Sequence, residues 1–432
     1  MKENFEENIQ LLVEKHPQFY KEIMNSKHSF IFERDSPEDD HFENEIILEK
    51  LFLISEAIKR NNKLIELQIL KMKVRERGVL NISKSLRYNS SLKSLTFSDT
   101  NLGDVSAKYL SESLIENESL ENLNLSNNKI EDEGAKSLAF LLSKNNTLKS
   151  LNLNNNDLRE NGLRNMCKSL RTNTTLEMIG LSRNRFTKEI KFLSQILTTN
   201  FSIKELYLGD NNIRNEGMKF LSKALKINSH LKKLSLSGSI LGNEGVKFLS
   251  KSLKTNKDLE EISLESCYIN DEQIRYLSEA LEVNSSLKKI SISKNKIVNG
   301  SKIFFESLKH NFSLHWVGFT HIKVNLDDVQ FLVEVLKENS SLKKMKIYLQ
   351  DLEDQSFKSQ IKFLCKCNEE WTPSLHSKIF SEYQSCIFTF LLCSNHIKRR
   401  DSIPKFPKFI LFEILKKVER KSFFENYLNN LK

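Results

Sequence analysis

An Asn followed three residues later by Leu or Ile recurs eleven times along this 432-residue chain, and the interval is 28 residues, or 27 at two places. These Asn are Asn61, Asn89, Asn117, Asn145, Asn173, Asn200, Asn228, Asn256, Asn284, Asn311 and Asn339. A single globular core does not impose such an interval. A solenoid does, because each unit buries its apolar face only against its neighbours. The sequence therefore predicts a repeating fold.

The unit formed by residues 120–145 shows how each repeat is expected to fold. Its first part places Leu123 and Leu125 in an apolar–polar alternation, which is typical of a short strand. Its second part places Leu138 and Leu142 four residues apart, which is the spacing of one helical face. Each repeat is therefore predicted to be one strand followed by one helix.

The unit reads L-x-x-L-x-L-x-x-N-x-[IL], followed by Glu-Gly and a helix. This pattern resembles the leucine-rich repeat in its ribonuclease-inhibitor-like subclass, and NOD-like receptors and the Ran GTPase-activating protein use similar repeats. The resemblance implies an α/β solenoid, a horseshoe with a parallel concave sheet, convex helices and helical caps at both ends. It implies little about function, because one scaffold hosts many binders.

A second Asn stands near the end of several predicted strands. The resemblance implies that its side chain bonds backbone groups of neighbouring turns and so forms a ladder. The ladder positions are Asn128, Asn156, Asn184, Asn211 and Asn295. Thr100, Ser239 and Cys267 occupy the same position in other repeats and can donate a similar bond.

Three segments are predicted along the chain. Residues 1–45 lack the repeat pattern and are expected to form an N-terminal helical cap over the first strand edge. Residues 46–360 are expected to form the solenoid, with about eleven repeats of 28 residues. Residues 361–432 have a different composition and read as a C-terminal helical domain.

Composition favours a cytoplasmic protein, with the nucleus left open. The start of the chain has no apolar leader, and no apolar run approaches the roughly 20 residues of a membrane helix. Six scattered Cys show no disulfide framework. The net charge is +10, but the basic residues are not joined by aromatics on the predicted concave face, which disfavours nucleic acid as a partner.

Every second residue of a predicted strand points away from the core and lines the concave face. Most of these positions hold small polar residues, and such large side chains as occur are the usual anchors of protein interfaces. An isolated aromatic on an open sheet is also ordinary. The predicted partner-binding residues are Met178, Tyr207, Trp316, Tyr348, Lys233, Glu261 and Lys289.

Catalytic motifs are not apparent: the sequence contains no glycine-rich phosphate loop, no H-E-x-x-H and no nucleophile elbow. We expect no enzymatic activity and no cofactor. Cys365, Cys367 and His376 begin a cluster of potential metal ligands whose spacing is irregular, so we expect buried thiols and no metal. A GTPase regulator of the Ran-activator type is an alternative suggested by the repeats, although that resemblance implies an acidic tail and the tail here is basic.

The C-terminal segment suggests another alternative. The run from Phe406 and Pro407 to Ile410 and Ile414 looks like the cullin-contacting element of SOCS-type or von Hippel-Lindau-type boxes. Upstream, the pair Cys393 and Ile397 is similar to part of an elongin-binding helix. The chain would then be a substrate receptor of a cullin-RING ubiquitin ligase, with these residues contacting an adaptor. The competing interpretation is a packed helical cap.

The main prediction from the sequence is a non-catalytic scaffold that binds a protein partner on the concave face. The ubiquitin-ligase receptor and the GTPase regulator remain its alternatives.

Overall fold

A computed structural model describes residues 2–33, 43–184, 186, 189–348, 359, 361, 362 and 365. Over these residues the strands form one parallel sheet, in which every strand lies beside the strands that precede and follow it in the chain. A helix connects each strand to the next. This arrangement confirms the predicted α/β solenoid.

The strands are β1 (Ser29–Glu33), β2 (Glu66–Leu70), β3 (Ser94–Ser98), β4 (Asn122–Asn124), β5 (Ser150–Asn152), β6 (Met178–Gly180), β7 (Glu205–Tyr207), β8 (Lys233–Ser235), β9 (Glu261–Ser263), β10 (Lys289–Ser291), β11 (Trp316–Phe319) and β12 (Lys344–Ile347). The helices are α1 (Lys2–Lys15), α2 (Pro17–Asn25), α3 (Glu43–Arg60), α4 (Glu76–Leu86), α5 (Asp104–Leu114), α6 (Asp132–Leu142), α7 (Glu160–Leu170), α8 (Ile190–Leu197), α9 (Arg214–Leu225), α10 (Asn243–Leu253), α11 (Asp271–Leu281), α12 (Ser301–His310) and α13 (Leu326–Glu338).

The strand register follows the interval between the repeated Asn. Ser94 of β3 pairs with Asn122 of β4, which is 28 residues further along the chain. Met178 of β6 pairs with Glu205 of β7, which is only 27 residues further. This shorter step coincides with the shorter interval that ends at Asn200. The connection between β6 and β7 is therefore one residue shorter than that between β3 and β4, and the side chains still lie on their proper faces of the sheet.

The interior of each repeat is apolar on both its strand and its helix. In the fourth strand and its helix, Leu123, Leu138 and Leu142 are no more than 1% exposed. Burial of each such side chain stabilises the fold by roughly 1.5–3 kcal/mol. Gly134 permits close packing of α6 on α5, because a Cβ at this position would lie 2.5 Å from Oδ1 and 3.0 Å from Cα of Asp104.

The Asn near the strand ends bond across neighbouring repeats. Nδ2 of Asn156 donates to the carbonyl of Leu125, one repeat earlier, at 2.9 Å and to that of Leu153 at 3.1 Å. Its Oδ1 accepts from the N–H of Ile130 at 3.0 Å. The same bond to the preceding repeat is made by Asn128, Asn184, Asn211 and Asn295. These side chains satisfy buried backbone groups that the short strands leave unpaired.

The eleven Asn that mark the repeats form a second ladder, at the other end of the strands. Nδ2 of Asn145 donates to the carbonyls of Leu114 and Asn117 in the preceding repeat, at 2.8 Å and 3.0 Å. Its Oδ1 accepts from the N–H groups of Thr147 and Leu148. All eleven side chains are buried. The sequence identified these Asn only by their interval, and their bonding role is apparent from the structure.

The N-terminal segment, which was expected to be helical, also contributes β1, and this strand extends the sheet beyond β2. Phe30 of this strand is buried, and Phe19 of α2 packs edge-on against Phe30 and Phe32. Asn61 joins the segment to the repeats, since its Nδ2 donates to the carbonyl of Ile23 at 3.0 Å. The alternation of Phe30 and Phe32 is the sequence signal that indicates this strand.

After Tyr348 the described residues are few and helical, and among them Ile361 and Cys365 are buried. The predicted adaptor-contacting residues lie outside the described residues; these are Cys393, Ile397, Phe406, Pro407, Ile410 and Ile414. The predicted boundaries of the three segments stay predictions. Within the described part of the chain, no helix combines the length and the apolar character needed to cross a membrane.

Candidate functional site

The sheet has one face packed against the helices and one face that is open. In β7, Leu206 is buried in the core, whereas Glu205 and Tyr207 on either side of it are half-buried on the opposite face. The open face of β7–β12 carries two rows of side chains that cross the strands. The outer row is Glu205, Lys233, Glu261, Lys289, Trp316 and Lys344. The middle row is Tyr207, Ser235, Ser263, Ser291, Gly318 and Lys346.

The first part of the open face, on β3–β6, carries no charge in these rows. Its side chains are Ser94, Thr96, Asn122, Asn124, Ser150, Asn152, Met178 and Gly180. Several side-chain amides on this part form hydrogen bonds with neighbouring backbone groups. For example, Oδ1 of Asn154 accepts from the N–H of Ser182, on the next repeat, at 2.8 Å. Met178, a predicted binding residue, lies at the end of this uncharged part, and the hydroxyl of Ser150 lies 3.8 Å from its sulfur.

The charged residues predicted to bind a partner form ion pairs within the outer row. Nζ of Lys233 lies 3.0 Å from Oε1 of Glu205, and Nζ of Lys289 lies 2.6 Å from Oε1 of Glu261. The hydrogen bond to Glu205 raises the pKa of Lys233. All four side chains retain 28–41% exposure, so the pairs remain accessible from solvent.

Tyr207 is held in place by the carboxylate beside it. Its hydroxyl donates to Oε2 of Glu205 at 2.7 Å. Burial, and then this hydrogen bond, raise the pKa of Tyr207. The ring is therefore a neutral, half-buried surface whose orientation is set before any partner arrives.

The ring of Trp316 lies along β11, over Gly318. A Cβ added at Gly318 would come within 2.7 Å of Cη2 of the Trp316 ring, so the ring covers the glycine and depends on the missing side chain. Nζ of Lys289 lies 5.0 Å from the ring centroid, and Nζ of Lys346 lies 5.8 Å from it. Cations at these distances are attracted to an aromatic ring. Trp316 is therefore fixed by its strand and by two lysines.

The seven predicted residues form a line across the sheet instead of a single cluster. Tyr207 and Trp316 lie four strands apart, which corresponds to roughly 19 Å at the usual spacing. At the far end, Tyr348 follows β12, is 43% exposed, and stacks on His321 with ring centroids 5.4 Å apart. A partner that contacts both Tyr207 and Trp316 must therefore span several repeats.

Sequence reasoning missed a further line of charges, here called the rim row, which comes from the residues just before each strand. In β8–β12 the rim row consists of Lys232, Glu260, Lys288, His315 and Lys343. Nζ of Lys288 lies 2.7 Å from Oε2 of Glu260, and this bond lowers the pKa of Glu260. A regular change of charge sign at the residue after each repeat Leu was the signal that could have indicated it.

The cysteine thiols of the described residues are buried. Burial raises the pKa of the Cys167 thiol and of the Cys267 thiol to about 12, so neither is a thiolate at neutral pH. No cluster of three or more potential metal ligands occurs within the part of the chain that the structure describes. The accessible chemistry of the open face includes ion pairs, amides, hydroxyls, exposed lysines and the aromatic rings of Tyr207, Trp316 and Tyr348.

A family model described as "Leucine Rich repeat" matches five segments of the chain, at residues 88–111, 116–139, 144–167, 199–222 and 228–250. No curated protein matches the chain.

Among solved structures, "Leiomodin-1 Actin-Binding Site 2 (ABS2)" is similar at 18% identity, over 45% of this chain and 95% of that one, with a TM-score of 0.29. The tropomodulin C-terminal domain of Caenorhabditis elegans is similar at 18% identity, over 31% of this chain and 82% of that one, also with a TM-score of 0.29. Neither likeness bears on what this chain binds. The parallel sheet with its alternating helices and the five matching segments support a leucine-rich repeat protein built as an α/β solenoid.

Proposed function

We propose that this chain is a non-catalytic scaffold that holds a protein partner on the open face of β7–β12. The observation that supports the proposal is the unequal distribution of side chains on that face. Among β3–β12, Tyr207, Trp316 and the charged residues of the outer row occur only from β7 onward, whereas β3–β5 present Ser, Thr and Asn. Large aromatic side chains surrounded by small residues are the typical anchors of protein interfaces.

Preorganisation favours Tyr207 and Trp316 as these anchors. Glu205 holds the hydroxyl of Tyr207, and the ring of Trp316 lies over Gly318 beside Lys289. A side chain that is already ordered loses little conformational entropy when a partner binds. The ion pairs Lys233–Glu205 and Lys289–Glu261 supply orientation more than affinity, since exposed pairs contribute little.

Three finer points belong to the same proposal. The repeats are of the ribonuclease-inhibitor-like subclass, as their sequence pattern indicates. The buried cysteines Cys167 and Cys267, which form no disulfide, suit a reducing compartment, which supports a cytoplasmic location. The ubiquitin-ligase receptor and the GTPase regulator stay predictions from the sequence, because none of the described residues favours either.

The test is to capture a partner with the full-length chain, identify it by mass spectrometry, and measure its affinity for variants. Tyr207→Ala and Trp316→Ala should each weaken binding by about 2 kcal/mol, or roughly 30-fold. Phe140→Ala is the matched control, because it truncates an exposed aromatic on the helical side of the solenoid, in α6. It should change affinity by less than about 0.5 kcal/mol.

Circular dichroism must show that all three variants are folded. Normal binding by both the Tyr207 and Trp316 variants, together with loss of capture when residues 371–432 are deleted, would place the interaction in the C-terminal segment and contradict the proposal.

A further inference from the structure

The outer row alternates in charge sign from β7 to β10, and the rim row alternates from β8 to β10. In the outer row Glu205 is followed by Lys233, then by Glu261 and Lys289, and each lysine has the preceding glutamate as its ion-pair partner. In the rim row Nζ of Lys232 lies 3.7 Å from Glu260, and Nζ of Lys288 lies 2.7 Å from the same residue. In both rows a lysine is thus neutralised by a carboxylate on a neighbouring repeat.

The alternation stops in the same repeat in both rows. Where the pattern leads to a carboxylate on β11, the outer row has Trp316 and the rim row has His315. The lysines continue on the next strand with Lys343, Lys344 and Lys346, all of which are exposed. Among the residues that the structure describes, none of these three has a carboxylate within ion-pair distance. Among the described residues, the end of the open face therefore carries positive charge that no carboxylate neutralises.

The surroundings of His315 reflect the same imbalance. Burial, followed by the charges of Lys343 and Lys288, lowers the pKa of His315. The carboxylates of Glu260 and Glu261, two strands away, pair with Lys288 and Lys289.

We propose that the surface formed by His315, Trp316, Lys343, Lys344 and Lys346, here called the basic corner, binds an acidic segment of a partner protein. The carboxylates of this acidic segment pair with the lysines of the basic corner and so continue the two interrupted rows. One apolar side chain of the segment packs on Trp316. The inference rests on the proposed function, since it names the chemistry of the partner on the same face.

The dimensions of the basic corner suit an extended peptide. Trp316 pairs with Lys289 on one side and with Lys344 on the other, so these three side chains span roughly 10 Å at the usual strand spacing. In an extended chain, residues i and i+2 are roughly 7 Å apart and point to the same side. A segment with carboxylates at positions i and i+4 and an apolar residue at position i+2 presents all three side chains to the same side. Its carboxylates can therefore reach lysines of the basic corner while the apolar side chain contacts the ring.

A protein segment fits this surface better than a nucleic acid. A nucleic-acid strand requires a continuous basic track, usually with several stacking aromatics. Here Glu260 and Glu261 lie two strands from Trp316 and would repel a phosphate backbone that continued along the sheet. The basic corner is short and contains one indole ring.

The experiment uses the full-length chain and a short fluorescein-labelled peptide of repeated Glu-Ser-Leu-Ser units, which places Glu and Leu on the same side of an extended chain. Binding is followed by fluorescence anisotropy at low salt. Lys344→Gln combined with Lys346→Gln should weaken binding of this peptide about tenfold, because both uncompensated charges are removed. The matched control is Lys223→Gln combined with Lys251→Gln, which removes two exposed lysines from α9 and α10 and makes the same change in net charge. It should leave affinity within about twofold. A peptide with Gln in place of every Glu should not bind.

Several results would overturn the inference. One is the absence of saturable binding by the wild-type chain, and another is an equal loss in the control variant. Equal affinity for a single-stranded oligothymidine would point to nucleic acid. Binding that appears only after Asp351→Asn, Glu353→Gln and Asp354→Asn are combined would show that the chain's own acidic residues after β12 occupy the surface.

The two proposals can fail separately. If Tyr207→Ala and Trp316→Ala weaken the captured partner while Lys344→Gln with Lys346→Gln does not, the open face remains the binding site and the acidic segment is rejected.

Discussion

Strands β3–β6, whose outer and middle rows are uncharged, and strands β7–β12, whose outer row is charged, share one kind of interior but present different open faces. In both parts the inward residues are buried Leu and Ile, as Leu151 and Ile262 illustrate. In both parts an Asn bonds the preceding repeat, as Asn156 and Asn295 do. The outward residues differ, from Ser, Thr and Asn in the first part to Glu, Lys, Tyr and Trp in the second.

This difference indicates that the outward side chains contribute little to folding. Each repeat is stabilised by contacts with its neighbours through the core and the two Asn ladders. Outward residues can therefore vary without loss of the fold, and a local change of chemistry such as that between Met178 and Glu205 indicates a local change of role.

The largest effect is expected from deletion of a whole repeat. Deleting residues 145–172 or residues 256–283 removes one interval of the solenoid and keeps the strands in register, so both products should fold. The first deletion should leave partner binding within about twofold. The second removes Glu261, sets Lys233 beside Lys289 and shortens the distance between Tyr207 and Trp316 by one strand. It should weaken binding by about 3 kcal/mol or more.

Circular dichroism and binding to the captured partner measure these outcomes. A deletion of residues 145–158 is the control, because it removes β5 and joins α6 almost directly to α7, and it should unfold the neighbouring repeats. Equal loss of binding in both whole-repeat deletions would remove the distinction between the two parts.

The next effect concerns the interior, where the two parts should behave alike. Asn156→Ala and Asn295→Ala should each lower the free energy of unfolding by about 1–3 kcal/mol, because each leaves buried backbone groups without partners. Asn122→Ala is the control: its side chain is exposed on the open face, and it should cost less than about 0.5 kcal/mol. Urea unfolding of the three variants gives the comparison, and an unchanged midpoint for Asn295→Ala would confine the ladder's contribution to the first part.

A smaller effect is expected from substituting a glycine in each of the two parts of the open face. Gly318→Ala should displace the Trp316 ring, shift its fluorescence emission and weaken partner binding by about 1 kcal/mol. Gly180→Ala would instead press on the amide oxygens of Asn152 and Asn154, which belong to the uncharged part, and should leave both emission and binding unchanged. Trp371→Phe is included in every protein so that emission reports Trp316 alone. An emission maximum that does not respond to Gly318→Ala would contradict the position of the ring.

The smallest effect is a dependence of stability on pH that both parts should share. The hydrogen bond from Lys149 lowers the pKa of Glu121, and that from Lys288 lowers the pKa of Glu260. A lowered folded-state pKa means that stability is present above the unfolded pKa, near 4.3, and is lost as pH falls through the folded value. Since both pairs are exposed, each should contribute less than about 1 kcal/mol.

Urea midpoints at pH 7 and pH 3 in low salt, for the wild type and for Glu121→Gln and Glu260→Gln, test this sign. Each variant should lose slightly less stability on acidification than the wild type. A larger loss in either variant would mean that the carboxylate is not stabilised in its charged form.

Much of the fold was predictable because a solenoid repeats one set of local rules. The interval between the marking Asn predicted the strand register, including the shorter step from Met178 to Glu205. The positions of Tyr207 and Trp316 on the open face followed from the period of two in a strand. β1 was less predictable, since it belongs to no repeat and its pairing with β2 depends on how α2 and α3 pack.

The sequence by itself determined the repeating architecture, the burial of one face of each strand and the residues that point away from the core. Those features depend on residues close together in the chain and on the regular interval. Tertiary structure alone decided that Lys233 pairs with Glu205, that Trp316 covers Gly318, and that Lys343, Lys344 and Lys346 are left without carboxylates in the described part of the chain. These contacts join side chains on neighbouring strands or depend on side-chain orientation, and both are set only when the repeats stack.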